Sequence, residues 1–557
     1  MAGLLSLPTE IICEIFENLK PTDEVNPYCD DDDLWDYRAS YRTLAALTRT
    51  CRCLNPMATQ ALYKRYCARY TISHPGFMRR LCTDKTISEM VRDIKLLHNG
   101  PLCQHRGRSE DEIKAQILEI PVLDRPEVER LLNRDPSQVE LAILVSQASN
   151  LESMSMEVYY LASEPHPQRV PLWLRPLVEA GRKLPLVNNP REKTMYGMLH
   201  SLTLRVHETC SYELAYLLCL PSLRRLQLDG LLYQARQGED GQSFKSPIPI
   251  ASSGVHTLKL HDIDAPSEVI TWFISGCKAL TEFKCQREND SEAYACTQAW
   301  CANILSALEQ HSASLTSLML EPGDEFLKLR PDYRYARLEG FERLSSLKLL
   351  VVPWMLLMGR PPASSVINGT YKSYPRMRHL LPPNLEELSL SMSPWTAPGV
   401  SEEILLSSLP RKPYETDMKT SLQNFNIRYY SLIWGTSLPC NFWNVKHAYR
   451  RSGVAFSYTI FGASRYDVDD IVPSNWDFIS MADELATHGP KAMEMAWHFG
   501  TIGEELVGKV AERLGLELSW LESEEGRRIM FLDDGEQDEA EGDETRNGDT
   551  EEDEKDS

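Results

Sequence analysis

The chain has 557 residues, of which 42% are hydrophobic and 25% are charged, and its formal net charge is -21 at pH 7. This length exceeds what a single hydrophobic core usually serves, so we expect several domains or a solenoid. The acidic balance argues against sequence-nonspecific nucleic-acid binding, which needs clustered Lys and Arg to displace counterions.

An apolar stripe opens the chain. Leu7, Ile11, Ile15 and Leu19 recur every four residues and predict one face of an amphipathic helix. Pro8 is tolerated there because the first turn of a helix needs no amide donor at that position. The pattern therefore predicts a short helix that begins beside Pro8.

A second stripe follows, formed by Leu44, Leu47, Cys51 and Leu54. Asn55 and the proline after it predict the N-cap and first turn of a third helix. Three helices this short cannot bury all of their apolar surface among themselves. Part of that surface is therefore available to a partner.

The two stripes are separated by an acidic insert. The 24 residues between Leu19 and Leu44 include four consecutive aspartates at 30–33. This composition predicts a solvated loop, and lengthening a loop costs little free energy.

These two half-motifs, in this order, resemble the F-box in the form common in filamentous fungi. The resemblance covers roughly residues 4–66. It implies that the helices dock on the adaptor subunit of SCF-type cullin–RING ubiquitin ligases. The residue pattern alone also fits an ordinary helical subdomain of a larger core. The adaptor contacts that the resemblance implies are Leu7, Pro8, Ile11, Ile12, Ile15, Leu19, Leu44, Leu47, Cys51 and Leu54.

The middle of the chain returns repeatedly to the phrase Leu-x-x-Leu-x-Leu. Six clear copies lie at 199–204, 223–228, 255–260, 315–320, 344–349 and 385–390. Four weaker copies lie at 91–96, 151–156, 280–285 and 422–427. The last two leucines alternate with polar residues, as in a short half-buried strand.

This phrase resembles an irregular leucine-rich repeat, whose period is usually twenty to thirty residues. Each unit cannot bury its apolar face alone, but stacked units share a continuous core. We therefore predict an α/β fold for 71–430, a solenoid with parallel strands and outer helices. The alternative is that leucine, a common residue, produces these spacings by chance.

The residues between the paired leucines of each copy are predicted to point to the inner, solvent-facing surface of the solenoid. Several are lysines and none is acidic, which suggests a mildly basic groove for an acidic or phosphorylated peptide. The alternative is an ordinary solvated strand face. The candidate target-binding residues are Lys259, Lys284 and Lys348.

The C-terminal part does not continue the phrase. Residues 431–532 are predicted to form a cap over the end of the solenoid or a separate small domain. Residues 533–557 hold fourteen acidic and two basic residues. Such a segment cannot bury apolar surface, so we predict a disordered acidic tail.

Motifs of known catalytic and cofactor sites are not found in the sequence, so we expect a protein that is not an enzyme and that holds no cofactor or metal. The fourteen cysteines lack zinc or disulfide spacing. Scattered cysteines suit a reducing compartment, the cytoplasm or the nucleus. The longest uncharged apolar run is too short to span a bilayer, so no membrane association is expected.

Together these features predict a substrate-recognition subunit of an SCF-type ubiquitin ligase. Its partners would be the adaptor, the cullin through that adaptor, and a protein target that the sequence does not identify. The alternative is an F-box-containing scaffold that binds the adaptor without promoting ubiquitination.

Overall fold

The computed structural model describes the chain from Leu7 to Phe461 with gaps. The described residues are 7–19, 31–69, 80, 83–98, 126, 128–130, 136–158, 170–183, 195–206, 211–231, 246–263, 265–286, 298–321, 337–359, 377–392, 405–406, 421–430 and 442–461. They belong to one compact unit, Met1–Tyr430 with Pro439–Phe461. A second unit, Ser431–Leu438 with Gly462–Ser557, lies outside the described residues, as does the predicted acidic tail.

Twelve strands in the described part of the chain form one sheet in which the strands follow each other in sequence order and every neighbouring pair is parallel. The strands are β1 (Arg65–Arg69), β2 (Asp93–His98), β3 (Ser153–Val158), β4 (Ser201–Arg205), β5 (Arg225–Asp229), β6 (Thr257–His261), β7 (Glu282–Gln286), β8 (Ser317–Glu321), β9 (Leu349–Pro353), β10 (Glu387–Met392), β11 (Asn424–Tyr430) and β12 (Ala455–Phe461).

Three helices precede the sheet and most of the others lie between strands. The helices are α1 (Thr9–Asn18), α2 (Asp31–Thr50), α3 (Asn55–Lys64), α4 (Lys85–Ser88), α5 (Pro136–Gln147), α6 (Arg175–Lys183), α7 (Ser211–Leu214), α8 (Ser267–Gly276), α9 (Gln298–Glu309), α10 (Trp354–Met358) and α11 (Phe442–Arg451). Short 3-10 turns occupy Ala215–Cys219, Phe341–Arg343 and Met377–His379.

The core is made of columns of aligned side chains. In the best-formed strands, β4 to β8, the second and fourth residues are buried and the alternate residues are not. Leu226, for instance, aligns with Leu202 on one side and Leu258 on the other, and all three are at most 1% exposed. The fold is thus an α/β, solenoid-like array, as predicted from the repeated phrase.

The sheet extends beyond both boundaries predicted for the solenoid. β1 begins at Arg65, immediately after α3, and β12 pairs with β11 in the segment that was predicted to be a cap. Aromatic residues occupy the core positions of these two strands, where Tyr66 aligns with Ile94 and Phe456 with Phe425. A search for leucine spacing therefore missed both.

The prediction for the repeat at 344–349 is wrong by three residues. Leu350, and not Leu347, aligns with Leu318 and Leu388. Residues 344–352 contain two overlapping copies of the phrase, so the local sequence fits both registers. The amides of Lys348 and Leu349 donate to the carbonyl oxygen of Thr316 at 2.9 and 3.0 Å and fix the second register.

The acidic insert is also different from its prediction. A solvated loop was expected at 30–33, but α2 begins at Asp31 and continues to Thr50. Acidic residues in the first turn complement the positive end of the helix dipole, so aspartates favour this start. Leu44 and Leu47 of the second half-motif therefore lie in the C-terminal part of a longer helix, and Cys51 and Leu54 lie between α2 and α3.

Candidate functional site

The first candidate surface lies on α1. Helices α1 and α2 both pack against α3. Ile12 and Phe16 of α1 are buried, with exposures of 4% and 1%, whereas Leu7 and Ile11 keep 40% and 41% of their surface exposed. The N-terminal helix thus has two apolar faces. One holds it in the helical subdomain and the other is open among the described residues.

The structure separates the ten predicted adaptor contacts into three groups. Ile12, Leu44 and Leu54 are buried and stabilise the helices themselves. Because a buried side chain is not accessible to a partner, these three do not belong to the exposed apolar surface of the helical subdomain. The most exposed members are Leu7, Pro8 and Ile11, and the less exposed ones are Ile15, Leu19, Leu47 and Cys51.

Local hydrogen bonds fix the ends of these helices. The carbonyl oxygen of Pro8 accepts the amides of Ile11 and Ile12 at 3.1 Å each, which starts α1. Asn55 was predicted to be an N-cap, but it is the first residue of α3, and its side-chain amide donates to the Thr48 carbonyl at 2.6 Å. The side chain of Asn55 therefore satisfies a backbone carbonyl group in the last turn of α2.

The helical subdomain is attached directly to the sheet. α3 runs without a linker into β1, and the hydroxyl of Tyr41 in α2 donates to the carbonyl oxygen of Arg65 in β1 at 2.9 Å. This contact crosses 24 residues of sequence. The exposed face of α1 and the sheet therefore belong to one structural unit.

The second candidate surface is the face of the sheet opposite the leucine columns, here called the open face. Strand pairing aligns one row of central residues across all twelve strands, and Lys259 and Lys284 are neighbours in it, as predicted. The row reads Cys67, Lys95, Ser155, Thr203, Gln227, Lys259, Lys284, Met319, Val351, Ser389, Asn426 and Ser457.

Lys348 does not belong to this row. Because β9 is shifted by three residues from its predicted register, Val351 takes the central position and Lys348 lies before the strand. Its ammonium pairs with Glu386 at 2.8 Å, and its side chain is 56% exposed. The structure therefore brings together two of the three predicted lysines.

Ion pairs neutralise much of the charge on the open face. Lys259 pairs with Glu282 at 2.8 Å, and Arg205 pairs with Asp229 at 3.4 Å. Lys284, by contrast, makes no ion pair with any residue that the structure describes. The predicted basic groove therefore holds fewer unpaired cations than the number of its lysines indicated.

His261 lies beside Lys284 on the same face. Burial lowers the pKa of His261, and the charge of Lys284 lowers it further, against the opposing effect of Asp229. The imidazole is therefore neutral at neutral pH, and it forms a hydrogen bond with the side chain of Gln286.

Polar side chains contact each other at the C-terminal end of the open face. The side-chain amide of Asn426 donates to Ser389 at 3.4 Å, and the hydroxyl of Ser457 donates to Asn426 at 3.2 Å. Ser389 is only 9% exposed. At the centre of β9, Val351 is only 3% exposed, so β4 to β8 lie on the more exposed side of β9 and β10.

A second histidine, His311, lies in the core. His311 is 2% exposed, and its Nδ1 accepts the amide of Leu280 at 3.3 Å while its Nε2 lies 3.1 Å from the carbonyl oxygen of Ile274. Burial lowers the pKa of His311, and the hydrogen bond to Ile274 opposes this. A neutral ring that donates from Nε2 satisfies both contacts.

Within the described ranges, no cluster of three or more His, Cys, Asp or Glu side chains could hold a metal ion. The same part of the chain contains no helix that is long and apolar enough to cross a membrane.

Comparisons with known proteins do not identify a family for this chain. No family model matches the chain, and no curated protein matches it. One solved structure, a leucine-rich-repeat protein of Leptospira interrogans, aligns with 12% sequence identity over 56% of this chain and 91% of its own, with a TM-score of 0.14. Similarity this low adds no argument, so the solenoid-like fold rests on the parallel strand order itself.

Proposed function

We propose that the chain is a non-catalytic substrate-recognition subunit of an SCF-type cullin–RING ubiquitin ligase. In this proposal α1 to α3 form the F-box and bind the adaptor, and the repeat sheet binds the protein target. The adaptor connects the chain to the cullin.

The observation that supports this most is the exposed apolar stripe of α1. Among the residues that the structure describes, Leu7 and Ile11 are two of the few large hydrophobic side chains that are at least a third exposed. Ile11 lies in the first turn of α1, and Leu7 lies two residues before the helix begins. They match the first half of the F-box pattern. Burying two such side chains against a partner would contribute about 3 kcal/mol or more to binding.

The proposed mechanism is proximity. A receptor that holds its target near a charged ubiquitin carrier raises the effective concentration of the target lysine. That mechanism needs a defined spacing between the two binding surfaces. The Tyr41 hydrogen bond to Arg65 and the direct passage from α3 into β1 support such a spacing.

The proposal assigns the chain to the cytoplasm, the nucleus or both. Cys51, Cys219 and Cys277 are unpaired thiols, as is usual in a reducing compartment.

The experiment is affinity purification of the full chain followed by mass spectrometry and an in-vitro ubiquitination assay. We expect the adaptor and the cullin to co-purify, together with a target that is ubiquitinated only when this chain is present. Adaptor without cullin or target ubiquitination would instead support the scaffold alternative. Recovery of neither adaptor nor cullin would contradict the proposal.

A further inference from the structure

The open face carries two cations that have no acidic partner among the described residues, Arg225 and Lys284. Arg225 is the first residue of β5 and is exposed, and Lys284 is the central residue of β7 and is partly exposed. Burial alternation places both opposite the leucine columns, on the same side of the sheet. Both stand out on a chain whose formal net charge is -21.

The neighbouring charges are already matched. Lys259 pairs with Glu282, and Arg205 pairs with Asp229. On β8 the carboxylate of Glu321 forms an ion pair with Arg428, and the Glu321 side chain is only 16% exposed. Arg225 and Lys284 therefore give the region of β4 to β8 a local excess of two positive charges.

The spacing of the two cations limits what they bind. β5 and β7 are separated by one strand, so their backbones are about 10 Å apart. A single small anion would not contact both at ion-pair distance without bending both side chains toward it. Two carboxylates on one extended peptide, borne by alternate residues about 7 Å apart, fit this spacing within the reach of the flexible Lys and Arg side chains.

Uncharged polar side chains near the two cations can also form hydrogen bonds with a peptide. Gln227 lies two residues after Arg225 on β5, and Lys259 lies between Gln227 and Lys284 in the central row. Neutral His261 lies beside Lys284. An amide and an uncharged imidazole provide hydrogen bonds to a peptide backbone without adding charge.

We propose that the open face of β4 to β8 binds an extended acidic segment of a protein partner, whose carboxylates pair with Arg225 and Lys284. That this segment belongs to a ubiquitination target rests on the proposed function, whereas the binding itself does not. Two carboxylates balance the charge of the two unpaired cations, whereas two phosphates, at about -1.5 to -2 each, would leave a negative excess beside Glu282 and Asp229.

The test uses the full chain and three short fluorescent peptides of one length. The first alternates serine with glutamate, the second has glutamine in place of glutamate, and the third has phosphoserine in that place. Fluorescence anisotropy across a salt series measures binding. We expect the glutamate peptide to bind most tightly and its affinity to fall with salt, since exposed charges are screened over roughly 10 Å at 0.1 M.

The test variant is Arg225→Glu with Lys284→Glu, and Arg225→Gln with Lys284→Gln removes the charges without reversing them. The control is Lys183→Glu with Lys278→Glu, which makes the same charge change at two exposed lysines outside the sheet. We expect a loss of about tenfold or more for the test variants, since each exposed ion pair contributes up to about 1 kcal/mol. The control should keep most of the wild-type affinity.

Three results would overturn the proposal. These are absence of binding by the wild type, equal binding of the glutamine peptide, and equal loss of affinity in the control. Binding of the phosphoserine peptide alone would also contradict it, because the partner would then be a phosphorylated segment. None of these measurements involves the adaptor, so their failure leaves the proposed F-box role to its own test.

Discussion

The guanidinium of Arg428 in β11 pairs with the carboxylate of Glu321 in β8, three strands away. Between them in the same row lie Pro353 of β9 and Ser391 of β10. Neither intervening side chain protrudes far enough to block the contact, and Ser391 is only 5% exposed. This ion pair therefore reaches across β9 and β10 and connects β8 with β11 on the open face.

This relationship predicts that Arg428→Met destabilises the repeat region. The change leaves the poorly exposed carboxylate of Glu321 without its partner, so we expect a loss of about 1–2 kcal/mol in the free energy of unfolding. Urea denaturation measures it. Combining the change with Glu321→Gln in a double-mutant cycle should give a coupling energy clearly different from zero.

An exposed ion pair provides the control for this prediction. Arg343 pairs with Glu309 at 2.9 Å, but its side chain is 65% exposed. Arg343→Met should therefore cost less than about 1 kcal/mol. Equal effects of the two arginine substitutions, or additivity in the cycle, would show that the Arg428 pair contributes nothing special.

The register of β9 is tested by one substitution at two adjacent positions. Leu350 is in the core column at 0% exposure, whereas Leu349 is on the open face. Leu350→Asp should unfold the repeats locally or wholly, because burying an uncompensated charge is very costly. Leu349→Asp should be tolerated with a small loss. The register favoured by the sequence reverses this order, so thermal melts of the two variants decide between the registers.

Protonation of His311 should make stability depend on pH. Because burial lowers the pKa of His311 in the folded state, the unfolded chain binds the proton more readily. Stability should therefore be lost as pH falls below about the ordinary value of 6.5 toward the lowered folded value. A glutamine can accept from Leu280 and donate to Ile274 without titrating.

The measurement is the urea midpoint of the wild type and of His311→Gln across this pH range. The wild-type midpoint should fall more steeply on acidification than that of the variant. His261 shifts in the same direction in both proteins, so the difference between the two curves isolates His311. Parallel curves would contradict the assignment.

The fold could be predicted from the sequence wherever leucines occupy the core positions of the strands. Spacing located β4, β5 and β6, because side chains such as Leu226 and Leu258 recur between polar neighbours. It missed β1 and β12, whose core positions are aromatic, and it misplaced β9. In that last case the choice between two local registers depends on hydrogen bonds to Thr316, a residue outside the phrase.

The sequence predicted the candidate surfaces less well than it predicted the fold. Sequence spacing placed Ile12 together with Ile11, but helix packing buries the first and leaves the second exposed. Likewise, composition counted Lys259 as a free cation, whereas its partner Glu282 comes from the next strand. Both outcomes depend on contacts between distant segments, which local patterns do not contain.

The most direct test of the account is recovery of the adaptor by variants of α1. Leu7→Ala with Ile11→Ala removes the exposed apolar stripe while leaving the buried residues of the helix intact. Truncating such interface anchors often costs about 2 kcal/mol each. The control, Thr9→Ser with Cys13→Ser, changes two exposed residues that lie on another side of the same helix. The account predicts that the first variant loses the adaptor in quantitative co-purification while its thermal melt stays near that of the wild type, and that the control retains it. Equal adaptor recovery by the stripe variant and the wild type would contradict the F-box role.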